Sequence, residues 1–237
     1  MAGEVRLGED GPVADKPGQL VQGDAALVVA QGPGFVSRGG QKLANALDQL
    51  GVDPSGRCCL DVGASTGGFT DCLLQRGAEH VVALDVAYGE LHWRIRNHPK
   101  VTVMERVNAR ALEPDQLPYR PDLITVDVSF ISLEKVLPAV LGCADSRFDC
   151  LALVKPQFEV GRERVGKGGV VRSADDRRSA LVAVGETVRE LGYSLLGYAS
   201  SGLPGPAGNR ETFSWIAEPG RVGAVDDVEV SAREVEP

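Results

Sequence analysis

The sequence predicts a doubly wound α/β fold of the Rossmann-like type, with a seven-stranded, mostly parallel sheet and helices on both faces. Between residues 57 and 156, five short apolar runs alternate with helical or irregular stretches, and each run ends in a polar or charged residue. Two further β-type runs, 193–199 and 211–217, are separated by a segment rich in glycine and proline. A repeating order of this kind is typical of a parallel sheet covered by helices.

The chain of 237 residues is long enough for one main domain with appendages. We expect this domain over residues 34–219, preceded by a separate small segment at 1–33. Residues 220–237 are acidic and contain no aromatic side chain, which predicts a disordered tail.

Two helices of the domain have clear signals. The first is amphipathic through Leu43, Ala46, Leu47 and Leu50, and its predicted start places Lys42 in the first turn. The second, over 173–191, opens with a serine cap and an acidic first turn.

The net charge of −8 does not exclude a nucleic-acid partner. Residues 1–24 hold five acidic and two basic side chains, and residues 226–237 hold five acidic and one basic, so the two ends account for −7. The body is close to neutral, and binding depends on a local basic face. Five cysteines without a CxxC pair predict reduced thiols in a cytoplasmic protein without a metal site. The sequence contains no apolar run long enough for a membrane span and does not begin with a secretory signal, so we expect no membrane partner.

A glycine-rich loop follows the first predicted strand and is a candidate cofactor site, because ligands bind at the carboxyl ends of strands in such sheets. It lacks the spacing of dinucleotide-binding loops, and the same glycines are also typical of a tight strand–helix turn. The predicted cofactor contacts in this loop are Asp61, Gly63, Ala64, Ser65, Gly67, Gly68 and Phe69.

Polar residues at the ends of the next two strands strengthen this prediction. Asp85, followed by Val86, lies about 20 residues beyond the glycines, where a carboxylate accepts hydrogen bonds from ribose hydroxyls, although a helix-capping role is the alternative. Asn108 and Ala109 follow the third strand, where a side chain and the backbone can contact an adenine edge. Together these residues favour S-adenosylmethionine over a nicotinamide cofactor.

The ends of the fourth and fifth strands narrow the choice of methyl acceptor. The fourth ends at Asp127 without an Asn-Pro-Pro-Tyr-like clamp, so methylation of an exocyclic amine is not expected. Neither strand-end loop contains a cysteine, which disfavours thiolate attack on a pyrimidine. Lys155 ends the fifth strand directly before Pro156, and this lysine is either a solvated charge or a catalytic group beside Asp127.

Five ordered motifs, SRGGQKL, DVGASTGGFTDCLLQRGA, DVSFISL, LVKPQFE and GNRETF, resemble the TlyA-type family of haemolysin-like ribosomal RNA ribose methyltransferases over residues 34–217. They are more distantly similar to FtsJ-type 2′-O-methyltransferases. The resemblance implies a Rossmann-like class I methyltransferase that uses S-adenosylmethionine. It also implies a catalytic tetrad at Lys42, Asp127, Lys155 and Glu211, and it makes residues 1–33 similar to the second half of a small RNA-binding module.

A basic stretch follows the fifth strand and predicts contacts with RNA phosphates, although a solvated surface loop is the alternative. Its candidate residues are Arg162, Arg164, Lys167 and Arg172, and Arg38 near the first helix extends the same basic surface. We therefore expect RNA, either ribosomal RNA or a ribosomal subunit, as the partner. A small-molecule O-methyltransferase and a non-enzymatic, haemolysin-like role remain as alternatives.

Overall fold

The computed structural model describes residues 5–8, 20–21, 25–29 and 34–236. The chain divides into two compact units, Met1–Phe35 and Val36–Pro237. In the first unit, β1 (Val5–Leu7) and β2 (Leu27–Val29) pair in antiparallel orientation. Most of the predicted N-terminal module lies outside the described residues.

The second unit is built on one seven-stranded sheet with the order β5-β4-β3-β6-β7-β9-β8. Strands β3 to β7 are parallel, and β9 runs antiparallel between β7 and β8, so the predicted Rossmann-like fold is confirmed. The order reverses between β3 and β6, which opens a crevice at their carboxyl ends. The strand bounds are β3 Cys58–Val62, β4 His80–Asp85, β5 Val101–Glu105, β6 Leu123–Val126, β7 Asp149–Val154, β8 Ser194–Ser200 and β9 Thr212–Ala217.

Three of the helices in the described part of the chain, α3, α6 and α7, begin at a residue whose side chain caps them. Ser173 caps α6 through its side chain, which accepts a hydrogen bond from the Asp176 amide, as its sequence predicts. None of the helices in the described part of the chain combines the length and apolar character needed to cross a membrane. Their bounds are α1 Arg38–Leu50, α2 Gly68–Gln75, α3 Trp93–Arg96, α4 Leu137–Gly142, α5 Pro156–Glu159, α6 Ala174–Glu190 and α7 Val228–Val235.

Helix α1 starts earlier than its apolar periodicity predicts. Ser37 is extended and precedes the first helical residue, Arg38, so Lys42 lies in the second turn and the expected placement in the first turn is wrong. The start is fixed by close packing, because Gly39 lies against the ring of Phe69 and a side chain at Gly68 would collide with Ser37.

The C-terminal segment is folded, which corrects the predicted disordered tail. Asp227 caps α7 by accepting hydrogen bonds from two backbone amides, and Val228 and Ala232 are buried against the core. Glu236 is 5% exposed and forms ion pairs with Arg177 and Arg210. Two apolar residues four positions apart and one buried carboxylate therefore attach this short acidic helix to the domain.

Candidate active site

Two adjoining cavities lie at the carboxyl edge of the sheet. The larger is about 450 Å³ and is lined by the ends of β3, β4, β5 and β6, whereas the smaller is about 220 Å³ and lies between the glycine loop and the start of α1. Gly63, Ser65 and Asp127 line both cavities. This edge is where ligands bind in open α/β sheets.

The glycine loop bends sharply at Gly63, where φ is +84°. A side chain there would collide with the carbonyl oxygen of Asp127, so glycine is required both for the backbone conformation and for the close approach of the β6 loop. The amides of Gly63 and Ala64 donate to the carbonyl of Leu84 at 2.8 and 3.0 Å, which holds the loop over β4.

The other loop residues predicted to bind the cofactor divide between the two cavities. Ser65 lines both, whereas Ala64, Gly68 and Phe69 line only the smaller one. Gly67 lines neither cavity and packs against Leu91 and Ile95, so its contact with the cofactor stays a prediction.

Asp61 also lines neither cavity, and its contact with the cofactor stays a prediction. Its carboxylate is fully buried and accepts hydrogen bonds from the hydroxyls of Thr70 at 2.6 Å and Thr125 at 3.1 Å. Burial raises the pKa of Asp61 to about 7. Asp61 therefore supports the glycine loop from below, by joining β3 to α2 and β6.

Asp85 and Val86 line the larger cavity at the end of β4, as the sequence predicts for a ribose-binding position. The carboxylate of Asp85 accepts hydrogen bonds from the Ser65 amide at 2.7 Å and the Ala87 amide at 2.8 Å. Each carboxylate oxygen has a further lone pair, so Asp85 can still accept ribose hydroxyls. Asn108 and Ala109 line the same cavity beyond β5.

The four predicted tetrad residues form two close ion pairs. Lys42 Nζ lies 2.5 Å from Glu211 Oε2, and Lys155 Nζ lies 2.5 Å from Asp127 Oδ1. The pairs come together because Lys155 follows β7 and Glu211 precedes β9, and these two strands are paired at Val154 and Thr212. The backbone amide of Asp127 donates to Val62, which sets Asp127 beside the glycine loop.

These charges are removed from solvent to different extents. Lys42 and Lys155 are each 8% exposed and Glu211 is 2% exposed, whereas the side chain of Asp127 is 24% exposed. Lys42 and Asp127 line the smaller cavity, and Lys155 and Glu211 lie behind them as their partners. A buried charge requires such a partner, because an unpaired one carries a large desolvation cost.

Sequence reasoning missed a carboxyl group that holds the loop after β6. Glu159 accepts hydrogen bonds from the Ser132 hydroxyl at 2.7 Å and the Leu133 amide at 3.0 Å, and burial raises its pKa. The loop carries Phe130, which is 91% exposed, has φ +63° and packs its ring 5.3 Å from that of Phe158. Phe130 and Glu159 occur within the motifs DVSFISL and LVKPQFE, which was the available signal.

The predicted RNA-contacting residues lie on exposed segments, with one difference. Arg38 lines the smaller cavity, and Arg162, Lys167 and Arg172 project from the loop 161–172. Arg164 is exposed as well, but its Nε donates to the Val160 carbonyl at 2.7 Å and its Nη1 donates to Ser179. Within the part of the chain that the structure describes, no His, Cys, Asp and Glu side chains form a group suited to a metal ion.

The doubly wound sheet, the glycine loop and the strand-end cavity define a Rossmann-like methyltransferase. The family model of FtsJ-like methyltransferases matches residues 35–217, and the chain belongs to this family. It is 51% identical over 217 residues to the 16S/23S rRNA (cytidine-2′-O)-methyltransferase TlyA of Mycobacterium tuberculosis, which covers 91% of this chain and 80% of the relative. It is 35% identical to the 23S rRNA (cytidine-2′-O)-methyltransferase TlyA of Campylobacter jejuni, over 76% of this chain and 69% of the relative.

A solved structure described as a "putative hemolysin" from Streptococcus thermophilus has the same fold. It is 34% identical to this chain and superposes with a TM-score of 0.82, over 98% of this chain and 86% of the other. The TlyA-type and haemolysin-like resemblance predicted from the five motifs is therefore confirmed.

Proposed function

We propose that the chain transfers a methyl group from S-adenosylmethionine to the 2′-hydroxyl of a ribose in ribosomal RNA. The observation that carries the proposal is the pair of lysine–carboxylate contacts, Lys42–Glu211 and Lys155–Asp127, beside the strand-end cavities. Two relatives that cover most of this chain are named rRNA (cytidine-2′-O)-methyltransferases, which supports a cytidine as the target nucleotide.

The larger cavity fits the cofactor in size and chemistry. At about 450 Å³ it falls within the range of small-molecule sites. The carboxylate of Asp85 would hold the ribose, Asn108 and Ala109 would contact the adenine, and the turn at Gly63 leaves room for the backbone to approach the sulfonium end. When bound, the cofactor supplies an electrophilic methyl group that needs no further activation.

The chain's own residues then have two tasks, which are to align the ribose hydroxyl with that methyl group and to accept its proton. Lys155 is placed to orient the hydroxyl, because its amine is held by Asp127 and donates to Ser129 at 3.0 Å. It can accept the hydroxyl proton only as the neutral amine, after its own proton has passed to Asp127 or to solvent. Lys42 lines the smaller cavity, and Glu211 fixes its position. Alignment of this kind accounts for a large part of the rate when the electrophile is already reactive.

The rim of the site suits an RNA backbone. The loop 161–172 contains four basic side chains and one acidic side chain, and Arg38 extends the same charge beside the smaller cavity. The exposed ring of Phe130 adds an aromatic surface on which a nucleobase can stack. We infer ribosomal RNA or a ribosomal subunit as the partner, and the cytoplasm as the place where the chain meets it.

The proposal is tested by incubating the protein with methyl-labelled cofactor and purified ribosomal subunits, and then digesting the RNA to nucleosides. We expect the label in a 2′-O-methylated nucleoside, chiefly 2′-O-methylcytidine, and none with the Lys155→Ala variant. Label on a base, or RNA that stays unlabelled while a small hydroxylated compound is methylated, would contradict the proposal.

A further inference from the structure

Three consecutive residues at the start of β9 connect the catalytic centre to three different elements. Glu211 binds Lys42 of α1, and Arg210 binds Glu236 beyond α7. Asn209 binds the basic loop 161–172. The first contact belongs to the proposed tetrad and the second anchors the C-terminal helix, whereas the third has no role in the chemistry described so far.

Asn209 is 1% exposed and uses both ends of its side-chain amide. Its Oδ1 accepts a hydrogen bond from the Val171 amide at 2.9 Å, and its Nδ2 donates to the Gly169 carbonyl at 2.8 Å. These partners lie 38 and 40 residues away in sequence. A buried amide with a donor and an acceptor both satisfied by one loop fixes that loop in position and in orientation.

The loop itself has little intrinsic rigidity. It contains four glycines, of which Gly161, Gly168 and Gly169 have positive φ, and a short turn is closed by the Gly166 amide donating to Val170 at 3.0 Å. Glycine gives the unfolded loop a large conformational entropy, so an external anchor is needed to hold one geometry. Arg177 holds the C-terminal end of the loop by donating to the carbonyls of Val171 and Arg172. Asn209 holds the turn from the other side, where it belongs to residues 209–211, the catalytic segment that contains Glu211.

We propose that Asn209 is a positioning residue that fixes the basic loop to the catalytic segment, so that RNA phosphates bound by the loop set the position of the target ribose. The inference rests on the proposed function, since it concerns an RNA substrate. Asn209 and Glu211 are two residues apart on one backbone segment, so the loop and the Lys42–Glu211 pair keep a constant spacing. Without the Asn209 amide the loop keeps its basic side chains, but it is no longer held in one orientation.

The test uses Asn209→Ala together with Asn209→Asp, which keeps the volume and one acceptor but places a carboxylate oxygen against the Gly169 carbonyl. Asn45→Ala is the matched control, because the Asn45 amide donates at 3.0 Å to the carbonyl of Ser201, whose own amide donates to the Glu211 carbonyl, without contacting the basic loop. Hydrogen exchange over residues 161–172, the KM for ribosomal RNA and the affinity for S-adenosylmethionine are measured for all three.

We expect both Asn209 variants to exchange faster over 161–172 and to raise the KM for RNA. The increase should be about tenfold for Asn209→Ala, which loses two neutral hydrogen bonds. The salt dependence of RNA binding should become weaker by about one unit for each phosphate contact that is lost. Cofactor affinity should not change, and Asn45→Ala should leave exchange over 161–172 and the KM at their wild-type values.

Faster exchange with an unchanged KM would overturn the inference, and so would a raised KM without faster exchange. A parallel loss of cofactor affinity would also overturn it, because the effect would then be a general loss of structure. If the wild-type protein itself shows no saturable, salt-dependent use of ribosomal RNA, the proposed function fails, whereas exchange over 161–172 still decides whether Asn209 fixes the loop.

Discussion

Lys155 and Asp127 form a short ion pair across neighbouring strands, with Nζ 2.5 Å from Oδ1, and Asp127 lines both strand-end cavities. The ion pair thereby positions Lys155 next to the point where the proposed cofactor and RNA sites meet. The pair links β7 to the loop after β6 and lies beside the turn at Gly63, whose close approach to the Asp127 carbonyl requires glycine. The consequences of this arrangement can be tested residue by residue.

Asp85→Ala should weaken the binding of S-adenosylmethionine about 10- to 100-fold, the usual effect of losing hydrogen bonds to a charged group. The carboxylate also holds the Ser65 and Ala87 amides, so Asp85→Asn, which keeps one acceptor oxygen, is the control and should lose less. Titration calorimetry measures both affinities, and circular dichroism checks the fold. Equal affinities for wild type and Asp85→Ala would remove Asp85 from the cofactor site.

Arg162→Ala and Lys167→Ala should each reduce the slope of log K against log salt for RNA binding by about one unit, if each side chain contacts one phosphate. Both side chains lie on the exposed part of the loop. Arg164→Ala provides the comparison, because Arg164 is held by Val160 and Ser179 and should change the slope less. An unaltered slope in the Arg162 and Lys167 variants would place the RNA on another surface.

Asp61 should make the stability of the protein depend on pH. Burial raises its pKa from an ordinary value near 3.8 to about 7, so the folded state binds the proton more tightly than the unfolded chain does. The protonated Asp61 therefore contributes fully to the free energy of unfolding below pH 4. As the pH rises toward 7, the free energy of unfolding falls by roughly 3–4 kcal/mol at most.

Asp61→Asn stays neutral and can still bond to both threonine hydroxyls, so its stability relative to wild type should increase between pH 4 and 7. Urea denaturation of both proteins across this range measures the difference. A constant difference at every pH would mean that Asp61 does not titrate as a buried acid.

Glu236→Gln should lower the free energy of unfolding by about 3 kcal/mol, because it leaves the buried guanidinium of Arg177 without its charged partner. Arg233→Ala is a control on the same helix, since its pair with Glu229 is exposed and should contribute less than about 1 kcal/mol. Denaturant titration separates the two values. Equal, small effects would show that α7 contributes little to the folded domain.

The sheet could be predicted almost strand by strand because each buried strand is a short apolar run between glycines or charged residues. The four residues of the predicted tetrad came from the family resemblance, and their arrangement as two ion pairs depends on packing that the sequence does not specify. Asp61 was predicted to contact the cofactor from its place near the end of a strand, whereas its hydrogen bonds from Thr70 and Thr125 could not be predicted. Such hydrogen bonds depend on residues distant in sequence.

The C-terminal helix was missed for a different reason. Composition alone predicts disorder for an acidic segment without aromatic residues, whereas burial of Val228 and Ala232 and the pairing of Glu236 with two arginines depend on the surface that the segment meets. The role of Asn209 in holding the loop could likewise not be predicted, because its hydrogen-bond partners lie about 40 residues away in the sequence.

The most direct test of the proposed chemistry is the single-turnover rate of methyl transfer to ribosomal RNA by Lys155→Ala, measured beside its affinity for S-adenosylmethionine. Lys155 follows β7, whereas the larger cavity is lined by the ends of β3 to β6, so the variant should bind the cofactor as the wild type does. Loss of proton transfer and alignment should lower the rate by about 10²–10⁴-fold or more. Lys155→Arg should not restore it, because guanidinium stays charged and is planar. If Lys155→Ala keeps more than about a tenth of the wild-type rate, its loss is smaller than acid–base assistance would cause. That result would contradict the account and make Lys155 a structural partner of Asp127.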